Sequence, residues 1–83
     1  MKEMIVKEGF AFIYLNNQIY SQKSIHTSLH EYTDFVKSSI TTLGNYHVLK
    51  IESKTQEYSV ETLSNELLNH ILNTEKIALG GVQ

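Results

Sequence analysis

Phe10-Ala11-Phe12-Ile13-Tyr14-Leu15 is the stretch on which the reading of this chain turns. Apolar residues occupy both parities: Phe10, Phe12 and Tyr14 on one, Ala11, Ile13 and Leu15 on the other. A strand of this kind is covered on both faces, or it sets one face on the core and offers the other to a partner. The run is far shorter than the roughly 20 apolar residues that cross a bilayer.

Outward from this strand, Asn16-Asn17 predicts a tight turn, because asparagine tolerates positive φ, and Gln18-Ile19-Tyr20 predicts a short returning strand. The residues before it, Met1 to Lys7, carry lysines but lead into no apolar stretch of signal-peptide length. That pattern and the absence of cysteine point to a cytoplasmic protein. Ser21 predicts the N-cap of a helix running to about Lys37. Its stripe, Ile25, Leu29, Tyr32 and Val36, is spaced four, three and four apart.

Ser38 to Leu43 is β-rich, Gly44-Asn45 breaks it, and Tyr46 to Ser53 reads as the partner strand of a hairpin. Ser59 predicts the cap of a second helix, with Tyr58 and Leu63 as its hydrophobic staple. Val60, Leu63, Leu67, Leu68, Ile71 and Leu72 form its apolar face, and Gly80-Gly81 marks its end. The order is β-β-α-β-β-α: an α+β two-layer sandwich of about four antiparallel strands with two helices on one face. Residues 1–83 make one small domain, with 1–3 and 80–83 expected as frayed ends.

The 83 residues carry nine acidic side chains against seven basic ones, a formal net charge of −2. All seven basic residues are lysines, and cysteine is missing altogether. These counts exclude a disulfide scaffold, a Cys-type zinc module and an iron–sulfur site. The lysines are interleaved with glutamates rather than gathered into a stripe, which argues against nucleic acid as a partner. A core of this size supplies only about 3–5 kcal/mol net, so a partner chain or a homodimer is expected.

His26 and His30 sit four apart on the first predicted helix, a spacing that lets two imidazoles share a metal. A zinc site needs one or two further ligands, and the residue after His26 is threonine, so the HExxH signature is missing. The reading is therefore of no metal site, with this pair the only candidate. No serine stands in a Gly-x-Ser-x-Gly elbow, and the glycines form no phosphate-cradling loop. No catalytic residue and no cofactor is expected. The surplus apolar character of the first strand makes Phe10, Phe12, Ile13 and Tyr14, with Tyr46 and Val48 of the later strand, the candidate partner- or peptide-binding residues.

Ile19-Tyr20-Ser21, a helix bearing Ile25, Leu29, Tyr32 and Phe35, a strand hairpin and the late Asn65-Glu66-Leu67-Leu68-Asn69 together resemble a known family. The chain is similar, from about Tyr14 to Leu79, to the small HxsD-type accessory proteins of His-Xaa-Ser peptide-maturation systems. It departs from them at Asn73-Thr74-Glu75, where a basic residue is expected. Similar small proteins accompany other radical-SAM peptide maturases, including the spliceases that excise a tyramine unit. The resemblance implies a non-catalytic partner of a radical-SAM enzyme, binding the maturase, the precursor peptide or both, with no cofactor of its own. Two other classes fit the composition: a homo-oligomeric, ACT-like domain binding a small ligand, and an antitoxin-type regulator.

Overall fold

The first hairpin lies one step earlier in the chain than the sequence reading places it. The computed structural model describes residues 4–80, and the first strand is β1 (Met4–Lys7), paired antiparallel with β2 (Phe10–Asn16). Glu8 and Gly9 make the turn with φ of 51° and 83°. Two successive positive φ values match a type I′ turn, whose twist suits a two-residue hairpin. Gln18-Ile19-Tyr20 is not a strand. The Asn16 carbonyl accepts from the backbone N–H of Ile19 and Tyr20, and the Asn16 side chain accepts from that of Gln18. These bonds curl the chain into the next helix before any strand can form.

That helix, α1 (Gln22–Glu31), starts where Ser21 Oγ accepts the Ser24 N–H at 3.1 Å. It ends about six residues short of the expected Lys37. The Thr33 hydroxyl donates to the His30 carbonyl at 2.8 Å, reinforcing an end carbonyl that the Thr33 N–H meets only at 3.5 Å. Val36, expected as the last position of the helical stripe, opens β3 (Val36–Leu43) instead and is buried there. Phe35 is left in the connecting turn and is exposed.

β3 and β4 (Tyr46–Ser53) form the second hairpin, as the sequence reading expects. Gly44 alone takes positive φ, at 56°, the pattern of a type II′ turn with glycine at its first central position. A polar loop leads to α2 (Val60–Gly80). Ser59 Oγ accepts the Thr62 N–H at 3.1 Å, so the predicted cap is in place. Met1–Glu3 and Gly81–Gln83, which hold most of the expected frayed ends, lie outside the described residues.

The sheet order is β1-β2-β4-β3, all neighbours antiparallel, with both helices over one face. This is the expected α+β two-layer sandwich in the order β-β-α-β-β-α. Ala11, Ile13 and Leu15 of β2 and Leu49 and Ile51 of β4 are fully buried beneath Ile25 of α1 and Leu67 and Ile71 of α2. Ser24 and Ser28, also buried, are the small side chains of α1 in the core layer. No helix among the described residues is long and apolar enough to cross a membrane.

Candidate partner-binding surface

The register of the sheet decides which half of the first strand faces outward. Ile5, Phe12, Lys50 and Ser39 lie in one row across the four strands, and Lys7, Phe10, Glu52 and Lys37 in the row beside it. Toward the other end, Tyr14 lies opposite Val48, and Tyr46 stands between Asn16 and Leu43. Side chains alternate between faces along each strand, so all of these point away from the helices. Phe10, Phe12, Tyr14, Tyr46 and Val48 are half-buried, while Ile5 and Leu43 are 46% and 60% exposed.

This outer face has two characters. At one end the Lys50 ammonium sits 4.4 Å from the centre of the Phe10 ring, a cation–π contact among Lys7, Lys37 and Glu52. At the other end Tyr14 and Tyr46 meet edge-to-face, their centroids 6.5 Å apart, beside Phe12, Val48 and Leu43. Tyrosines that pair an apolar body with a hydroxyl, flanked by aliphatic side chains and rimmed by charge, are the groups that anchor protein interfaces.

Five of the six candidate contact residues are thus brought together on one face. Ile13 is the correction: its side chain is on the helix side, fully buried, and can meet no partner. The alternation within residues 10–15 separates the two sets but does not say which one faces the helices. That depends on pairing with β4, where His47, Leu49 and Ile51 turn the same way as Leu15, Ile13 and Ala11.

His26 and His30 are both exposed on α1, beside the β3 strand. Among the described residues no group of three or more histidine, cysteine or acidic side chains comes together to hold a metal. A third histidine makes a contact the sequence reading missed. His70 Nδ1 lies 3.0 Å from Ser28 Oγ, and the Thr74 hydroxyl is 3.3 Å from the same oxygen. A Ser–His pair is the geometry of an activated nucleophile. Here Ser28 has no exposed surface, so the pair bolts α1 to α2 and presents nothing to a substrate. Glu75 adds a second bolt: its Oε1 accepts the Ser21 N–H at 2.7 Å.

Tyr32 stacks edge-to-face on the His70 ring, centroids 5.6 Å apart, and borders a cleft with Phe35, Tyr58 and Glu66. Burial raises the Tyr32 pKa above the ordinary phenol value, and the Glu66 and Glu31 carboxylates raise it further. None of these contacts between the two helices was visible from spacing, because Ser28–His70, Ser28–Thr74, Ser21–Glu75 and Tyr32–His70 each join residues more than 30 positions apart. Comparison of the chain with protein-family models, curated proteins and solved structures finds no match.

Proposed function

We propose that this chain is a non-catalytic accessory protein that associates with a radical-SAM peptide maturase, its precursor peptide, or both, during modification of a ribosomally made peptide. The observation that carries the reading is the outer face of the sheet. Phe12, Tyr14, Tyr46, Val48 and Leu43 share it, and neither helix covers it. A two-layer sandwich has one covered sheet face, and an apolar patch left on the other marks a place where another surface packs. The resemblance to HxsD-type accessory proteins supplies the class of partner, and such a partner places the chain in the cytoplasm.

Size-exclusion co-elution with the maturase encoded beside this gene tests the proposal. Co-elution, lost when Phe12 and Tyr14 are both changed to glutamate, is the expected result. Failure to associate, with maturation unchanged when this protein is omitted, overturns it. The same face also suits pairing of two copies, the arrangement a homo-oligomeric regulatory domain would use. Light scattering that shows a stable dimer, disrupted by the same two changes, would favour that second reading.

A further inference from the structure

The β3 strand is an edge with its backbone unspent. The Lys54 N–H donates to the Phe35 carbonyl at 2.8 Å, one step beyond the Val36–Ser53 pairing. In an antiparallel ladder hydrogen-bonded pairs alternate with non-bonded ones. Residues 37, 39, 41 and 43 therefore bond to β4, while Ser38, Ile40 and Thr42 turn N–H and C=O away from the sheet. No strand of the described residues lies beyond them. The devices that normally blunt an edge are nearly absent: β3 is eight residues long, carries no proline and has Lys37 as its single charge.

A groove of about 420 Å³ runs beside this edge, between β3 and α1. Leu29 and Ile40, each partly buried against the core, give it an apolar floor. His26, His30 and Lys54 are its ionisable walls, Lys37 stands at its rim on the outer side of the strand, and no carboxylate lines it. The Lys54 ammonium is held in place by a 2.9 Å bond to the Thr33 carbonyl.

We propose that the β3 edge and this groove bind an extended, acidic segment of a partner polypeptide as a fifth strand of the sheet. Only a peptide backbone in strand conformation supplies donors and acceptors at the spacing of Ser38, Ile40 and Thr42. Apolar side chains on the helix-facing side of that segment reach the floor of Leu29 and Ile40, and carboxylates on its other side meet Lys37, within the positive field that Lys54 adds to this edge. The β3 backbone edge and the groove lie apart from Phe12, Tyr14 and Val48, with Lys37 at the rim between the two surfaces, so the proposal stands or falls independently of the maturase reading.

Titration of the ¹⁵N-labelled full chain with an acetylated, amidated ten-residue peptide of alternating Glu and Val, and with its Lys-Val counterpart, tests this. The Glu-Val peptide is expected to shift the amides of Ser38, Ile40 and Thr42 and those of α1 from His26 onward. It should bind at least about fivefold more tightly than the Lys-Val peptide, with the difference shrinking in salt. Ser38→Pro removes an outward N–H without touching the β3–β4 ladder, and is expected to weaken binding about tenfold. Lys37→Glu, which leaves the backbone intact, should weaken it about threefold or more and serves if the proline variant loses its dispersed spectrum. No shifts up to about 2 mM peptide overturn the proposal, as does equal binding of the two peptides. It is also overturned by shifts confined to Phe12, Tyr14 and Val48. Edge amides that shift with protein concentration in the absence of peptide would assign the edge to a second copy and likewise overturn it.

Discussion

Glu8 holds a φ of 51°, a left-handed conformation that costs an L-residue about 1–2 kcal/mol. The turn needs it, because Lys7 and Phe10 must close the hairpin across two residues. Glu8→Asn, which places the favoured Asn-Gly pair in a type I′ turn, is expected to stabilise the fold by about 0.5–1 kcal/mol. Urea denaturation at unchanged slope measures it. Ser64 is the other locally unfavourable residue: its hydroxyl is buried in α2 with no hydrogen-bond partner. Ser64→Ala removes that group and adds helix propensity, so a gain of about 1 kcal/mol is expected in the same assay. Tyr32 gives a pH dependence. Its folded pKa lies above its unfolded value, so its contribution is complete below the ordinary phenol range and is lost as pH rises through the folded pKa. Thermal stability should therefore fall as pH rises through and above the ordinary phenol range, and Tyr32→Phe should flatten part of that fall.

At the scale of elements, caps were legible and lengths were less so. Ser21 and Ser59 each accept a backbone N–H three residues on, as their positions before helical stripes imply. Ser59→Ala should cost about 1 kcal/mol of stability, read as a lower denaturation midpoint. The end of α1 was misread because Val36 fits the helical stripe and the strand equally well. It joins the strand because it pairs with Ser53 and is buried there, and long-range pairing of that kind leaves no mark on local spacing. The first hairpin was misread for a similar reason. Asn16-Asn17 has turn chemistry and does turn, but the chain continues into α1. Met4-Ile5-Val6 supplies the missing strand and is short enough to pass for a polar-flanked terminus.

At the scale of the whole molecule, one layer of helices on a four-stranded sheet leaves the outer face to whatever packs there. Phe12→Glu is expected to change stability by less than about 1 kcal/mol, since Phe12 is half-exposed and no helix lies over it, while abolishing co-elution with a partner. Equal loss of stability and association would instead mark Phe12 as a packing residue. The sequence by itself determined the α+β class, the element order, the two helix caps, the second hairpin and the presence of a strand apolar on both faces. Those features rest on local chemistry: period, turn residues and capping side chains. The tertiary structure alone decided that Ile13 belongs to the core while Phe12 and Tyr14 face outward. It also decided that His70 reaches Ser28 and that β3 ends the sheet with Ser38, Ile40 and Thr42 unpaired. Each depends on register or helix contact between residues distant in the chain, where a one-residue shift in pairing exchanges the two faces of a strand.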